Sequence, residues 1–173
     1  MTEMTEMKVM GIALDTRTGS PIVVLNDPES RKALPIWIGS AEASSIIRKI
    51  ENIPSSRPMT HDLFIDLIAK SEQTLKSIEI VDVNEQTYFA NLIIEDKEGE
   101  TILVDCRPSD AIAIAIRADV PIYVAKSVLS SGAISTGAAQ QDDQDEAEFK
   151  NFIQEVKPSD FEKLLKKNFE SDQ

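Results

Sequence analysis

Asp105, Arg107 and Asp110 crowd a short stretch where an apolar run ends. The run Ile102-Leu103-Val104 reads as a strand. Pro108-Ser109-Asp110 then opens an alanine-rich apolar segment that reads as a helix start. Ser109 is expected to cap that helix, and Asp110 falls in its first turn, where the positive end of the helix favours an anion. Carboxylates at such a corner suit Mg²⁺ or Mn²⁺, hard cations that take oxygen ligands. A cation held there polarises a phosphoryl oxygen and activates water, while Arg107 offers phosphate a planar two-point contact. The same residues also make an ordinary structural corner, with Asp110 as a first-turn charge and Arg107 paired to Asp105.

Other positions extend this set. His61 is the single histidine of the chain, between Thr60 and Asp62 at the start of a second helical pattern. With Asp62 beside it, it is a candidate general base; a helix-start histidine without a role is the plainer reading. Arg57, between Ser56 and Pro58, is a second candidate phosphate contact. Glu42 lies at a matching strand-to-helix corner and is a candidate third carboxylate. The expected catalytic set is therefore His61, Asp62, Asp105 and Asp110. Arg57 and Arg107 are the expected substrate contacts, and Asp105, Asp110 and Glu42 the expected metal ligands. Cys106 has no partner cysteine and is expected to be an inert, partly buried thiol. Trp37 sits on an apolar strand and is expected in the core or a dimer contact. No P-loop, dinucleotide fingerprint, HExxH or nucleophile elbow is present.

Four separated segments occur in order: LPIWIGSAEA (34–43), RPMTHDL (57–63), YFANL (88–92) and ETILVDCRPSDAIAIAIR (100–117), followed by PIYV (121–124). Together they resemble the bifunctional nuclease (DNase/RNase) domain family, over roughly Met7 to Ser131. The resemblance implies hydrolysis of phosphodiester bonds in DNA and RNA. It carries no settled catalytic residue set with it.

The elements that must position these groups follow from periodicity. Lys8 to Leu14, Pro21 to Leu25 and Leu34 to Ile38 read as three strands, and Pro35 places the third at an edge or start. Ala41 to Glu51 carries Ala43, Ile46, Ile47 and Ile50 at helical spacing, and Thr60 to Ala69 carries Leu63, Phe64, Leu67 and Ile68. A second meander runs Thr74–Val83, Thr87–Ile94 and Glu100–Asp105, with Gly99 suited to a positive φ. A buried helix from Ser109 to Ala118 and a last strand from Val120 to Val124 follow. The corners at Glu42-Ala43 and Asp110-Ala111 look alike, which suggests an internal duplication of a β3-α unit. Ser130 to Gln144 is Gly, Ser, Ala and Gln followed by acid, and reads as a linker. Glu146 to Val156 reads as a weak helix, and Ser159-Asp160-Phe161-Glu162 as the capping box of an amphipathic one.

Composition sets the outer bounds. The 173 residues fit one domain, residues 1–131, with an acidic linker over 132–145 and a C-terminal helical segment over 146–173. The fold class expected is α+β, antiparallel meanders with packed helices. A single cysteine fits a reducing, cytoplasmic compartment. The N-terminal MTEMTEMK has no basic region or long apolar run, and no stretch approaches a membrane span. The charge is unusual for a nucleic-acid enzyme: 30 acidic against 18 basic residues leave −12. Phosphate neutralisation supplies much of the affinity for nucleic acid, so a polyanion needs a bound cation or a local positive pocket here. The preferred function is thus a divalent-metal-dependent nuclease acting on DNA and RNA, as a homo-oligomer, dimer first, with no membrane partner. The alternative is a non-catalytic dimeric interaction module or an anion-binding regulatory module.

Overall fold

The computed structural model describes residues 2–27, 29, 32–135 and 153–155. Strands β1 (Met4–Asp15), β2 (Pro21–Asp27) and β3 (Lys32–Trp37) form an antiparallel meander that leads into helix α1 (Ser40–Ile50). Helix α2 (Thr60–Lys70) follows. A second meander, β4 (Thr74–Asn84), β5 (Thr87–Glu95) and β6 (Thr101–Cys106), leads into α3 (Pro108–Ala118). Strand β7 (Ile122–Ala125), helix α4 (Lys126–Gly132) and a two-residue strand β8 (Ile134–Ser135) complete the domain, and β9 (Ile153–Glu155) adds to β1. The class is α+β, and the two meander-plus-helix units share one order of elements.

The sheet runs β6-β5-β4-β7-β1-β2-β3-β8, so the two meanders lie on either side of β7. Among the described residues only β4 and β7 run parallel. The hairpins are set by local chemistry. Glu85 and Gln86 both take positive φ between Asn84 and Thr87, which matches the twist of the flanking strands. Gly99 takes φ +85° between β5 and β6, as its residue type foretells.

Alternation along the strands decides what faces the helices. Val23, Leu25, Leu34, Ile36, Ile78, Ile80 and Leu92 join Ala43, Ile46, Ile112 and Ile114 in one core. Ala13, Ile22, Val24 and Ala33 form a second, small cluster, which is why β2 is buried along almost its whole length. Helix α3 lies at the centre, packed on α1, α2, β4 and β5. Residues Ala111 to Ala115 are all buried, so the AIAIAI run has the period of a strand by composition only. Full burial of one such isoleucine contributes about 1.5–3 kcal/mol.

Several expectations change. Ser109 does not cap α3. The N-cap is Arg107, Pro108 takes the first helical position, and Ser109 is buried within the first turn. A proline there loses no hydrogen bond and arrives with helical φ, so it displaces the serine from the cap. The N-caps of α1 and α2 are Gly39 and Met59. Trp37 is not core: it is 47% exposed, with Nε1 donating to Asp15 Oδ2 at 3.0 Å. Residues 153–155 lie in a strand rather than a helix. Strand β7 is short and covers only Met4–Met7 of β1, so the same edge stays open at Ala13–Asp15, where β9 pairs. Helix α4 and strand β8 fall just where the linker composition begins, and the packed domain reaches Ser135. The capping-box helix expected from Ser159 lies outside the described residues. No helix among the described residues is long and apolar enough to cross a membrane.

Candidate functional site

The first turns of α1, α2 and α3 meet, and each contributes a polar side chain. Arg107, at the N-cap of α3, donates through Nε to Asp110 Oδ2 at 2.8 Å and through an Nη to Glu42 Oε1 at 2.7 Å. Glu42 and Asp110 occupy equivalent places in the two meander-plus-helix units, and one guanidinium joins them. Gly39 leaves room for this on the α1 side: a side chain there would require the Glu42 carboxylate to shift. Arg107 is 65% exposed while Glu42 is 14% exposed, so the arginine is the member that can swing toward a ligand. Its two carboxylate neighbours, Asp110 foremost, make the guanidinium hold its proton still more firmly.

Behind Asp110 lies a buried relay. Asp110 Oδ1 is 3.0 Å from His61 Nε2, and His61 Nδ1 is 2.6 Å from Ser45 Oγ. A carboxylate only accepts, so the Nε2 proton donates to Asp110, and in the neutral ring Nδ1 accepts from the Ser45 hydroxyl. Ser45 is buried and His61 is only 12% exposed. Both ring nitrogens are therefore engaged, and the outward-facing member of the chain is Asp110. Its two oxygens are taken by His61 and Arg107 in the resting arrangement.

A second arginine ties the three helices together. Arg117, on α3, donates through Nε to Asp62 Oδ1 at 2.7 Å and through its two Nη groups to the carbonyls of Ala113 and Ser45. Asp62 Oδ2 accepts the Met59 backbone N–H at 2.9 Å. The Met59 amide first, and then Arg117, pull the Asp62 carboxyl below its ordinary range. An anion that is held so low and hydrogen-bonded on both oxygens is suited to pinning α2, not to shuttling protons.

The predicted residues thus separate. His61, Asp110, Arg107 and Glu42 come together in one chain of contacts. Asp62 adjoins them through Arg117, and Arg57 lines a neighbouring cleft with Arg117 and Asp62. Asp105 does not join. Along β6 exposure alternates, with Ile102, Val104 and Cys106 toward the core and Thr101, Leu103 and Asp105 exposed. Adjacency in a strand puts Asp105 and Cys106 on opposite faces, so the expected pairing of Asp105 with Arg107 is replaced by Glu42. Among the described residues no three His, Cys, Asp or Glu side chains gather as a metal site. The set Glu42, Asp105 and Asp110 does not fit one as placed: Asp105 is on the other face, and a guanidinium already lies between the other two.

Ser45 and Arg117 escaped the sequence reading. Ser45 lies three residues after Glu42, on the buried face of α1, and nothing in its neighbours marks it. Arg117 had a signal, since a charge directly after the apolar run Ala111–Ile116 must find partners. Cys106 matches its expectation: burial first, then the charges of Asp105 and Asp110, push its thiol up to about 11.

Comparison with known proteins finds relatives along most of the chain. An uncharacterized protein of Mycobacterium tuberculosis (strain ATCC 25618 / H37Rv) is 38% identical over 167 residues, spanning 91% of this chain and 98% of its own length. Bifunctional nuclease 2 of Oryza sativa subsp. japonica is 33% identical over 118 residues, 66% of this chain and 36% of the rice protein. Bifunctional nuclease 1 of Arabidopsis thaliana is 29% identical over 119 residues, 63% of this chain and 37% of its own. The model of the bifunctional nuclease domain matches residues 23–137, which include Glu42, Ser45, His61, Arg107 and Asp110, and the chain belongs to that family.

Proposed function

We propose that this protein hydrolyses phosphodiester bonds of DNA and RNA at the junction of α1, α2 and α3. The observation that carries this reading is the Glu42–Arg107–Asp110–His61–Ser45 chain, which backs an exposed guanidinium with a held carboxylate and a partly buried histidine. Arg107 turns from Glu42 and Asp110 to the phosphate, where its fork binds two oxygens and offsets charge that develops on them. Asp110, released from Arg107, accepts a proton from the attacking water as the water oxygen bonds phosphorus; the bond to the leaving sugar oxygen breaks, and that oxygen takes a proton from solvent. His61 keeps the Asp110 carboxylate aimed through Oδ1, and Ser45 fixes the ring. Glu42 is the resting partner that keeps Arg107 from collapsing elsewhere. The family and the plant nucleases named above support the substrate class.

A requirement for Mg²⁺ or Mn²⁺ is kept in this proposal on the charge of the chain, −12, which repels a polyanion unless cations accompany it. No step is routed through a metal ligand set, because Glu42, Asp105 and Asp110 do not converge. The test is cleavage of single-stranded and duplex DNA and RNA by the full chain through successive purification steps. Activity that elutes with the folded protein and is lost in His61→Asn supports the proposal. Activity that separates from the protein removes it.

A second reading rests on a different observation. Leu63 and Leu67 lie one turn apart on α2 and are 62% and 59% exposed. Apolar side chains presented in this way suit contact with another surface, and a homodimer through α2 is compatible with the nuclease and with a non-catalytic module. Light scattering on wild type and on Leu63→Glu separates monomer from dimer.

A further inference from the structure

We propose that the cleft bounded by the C-terminal end of α1, residues 51–59 and the first turns of α2 is a phosphate subsite. It would hold a backbone phosphate of the same nucleic-acid strand whose neighbouring bond reaches Asp110. The choice of ligand rests on the nuclease reading; the subsite stands on its own observations. The cleft has a volume of about 440 Å³, enough for a sugar–phosphate unit. Its walls carry Arg48, Lys49, Arg57 and Arg117 against the acids Asp62 and Asp66. Asp62 is taken up by Arg117. That leaves Arg48, Lys49 and Arg57 facing Asp66, a positive concentration in a chain of net charge −12. It is the local pocket that such a chain needs to admit a polyanion.

Arg48 is held in place on this wall. One of its Nη groups donates to the Pro54 carbonyl at 2.9 Å, which fixes the guanidinium against residues 51–59. Its Nε is buried and has no hydrogen-bond partner. That nitrogen is closed off from the cleft, so Arg48 contributes positive charge to the wall rather than an open donor. Lys49 and Arg57 form no ion pair among the described residues and are exposed, so their charge is free for a ligand. Ser55 and Ser56 line the same wall and add donors. The cleft is linked to the site through one buried side chain. Arg117 spans the two, holding Asp62 on the cleft wall and the carbonyl of Ser45, whose hydroxyl meets His61. A strand held in the cleft would lie beside the helix junction that carries the Asp110–Arg107 pair. A phosphate contact of this kind positions the strand and reads no base, so the subsite predicts binding that is indifferent to sequence.

The test is fluorescence anisotropy of a labelled single-stranded oligothymidylate, its intactness checked on a gel, with the full-length protein. Wild type, Arg57→Gln, Lys49→Gln and Lys97→Gln are titrated over a range of salt. Arg57 and Lys49 have no partners to lose, so their variants should melt with wild type, and Lys97 lies at the far β5–β6 turn as a control. Loss of one phosphate contact should weaken binding and lower the slope of log affinity against log salt by about 0.7 for each of Arg57 and Lys49. Lys97→Gln should leave both unchanged. Equal slopes in all four proteins, or no binding by wild type, overturn the subsite. Cleavage measured on the same proteins separates the two proposals. Arg57- and Lys49-dependent binding without any cleavage keeps the subsite and removes the nuclease. Cleavage with slopes unaltered in both variants keeps the nuclease and removes the subsite.

Discussion

The hydroxyl of Ser45 lies 2.6 Å from His61 Nδ1, so a buried serine on α1 fixes the ring that holds Asp110 on α3. The two residues should be energetically coupled. Ser45→Ala removes the donor and leaves Nδ1 without a partner, at a cost of about 1 kcal/mol. His61→Asn leaves the buried Ser45 hydroxyl unmet and should cost about 1–3 kcal/mol. The double variant should cost less than the sum of the two, because the interaction is lost only once. Urea denaturation of the four proteins checks this; strict additivity would mean that the contact carries no energy.

Asp62 makes the second prediction, through pH. The Met59 amide and Arg117 depress its folded pKa below the ordinary 3.8. A depressed carboxyl contributes stability above its unfolded pKa and loses that contribution as pH falls through the folded value. Asp62→Asn should therefore be less stable than wild type at neutral pH by about 1–2 kcal/mol, a figure reduced because the carboxylate is 39% exposed. The gap should close as pH drops below about 4. Thermal melts across pH on both proteins measure it; a gap that persists at low pH would show that packing, not charge, is what Asp62 supplies.

How much of this was legible before the structure depends on which physical signal each residue carries. Both meanders, α1, α2 and α3 were legible because alternation and helical spacing report burial directly, as at Val23/Leu25 and Ile46/Ile47/Ile50. The corner residues Glu42, Arg107 and Asp110 were legible as types because charge at a strand-to-helix junction is conspicuous. Their partners were not. Asp105 reads as part of the cluster because it is near in sequence, and a strand's period of two sends it to the opposite face from Cys106. The Arg107–Glu42 contact spans sixty-five positions, and no local pattern announces it. Ser45 is a polar residue on an apolar helix face whose role exists only once α2 is docked. Helix α4 and β8 were hidden by small polar residues that look like a linker, although Val128 and Leu129 are buried.

Cys106 gives the third prediction. Burial and the carboxylates of Asp105 and Asp110 raise its thiol to about 11, so the thiolate is scarce near neutral pH. A neutral disulfide reagent should label the folded protein far more slowly than the unfolded protein at pH 7–8. The rate should climb as pH approaches 11. Fast labelling of folded protein at neutral pH would show that the thiol is open and ionised.

The most direct test of the proposed site compares two aspartates that the sequence groups and the structure separates. Cleavage of a defined single-stranded substrate should be measured for highly purified wild type, Asp110→Asn and Asp105→Asn, at fixed salt with Mg²⁺ and with chelator. The site predicts that Asp110→Asn loses activity by about a hundredfold or more, as expected for removal of a general base. Asp105→Asn should retain activity within about twofold, since its side chain is on the exposed face of β6 away from the helices. Wild-type activity in Asp110→Asn, or loss of activity in Asp105→Asn alone, would contradict it.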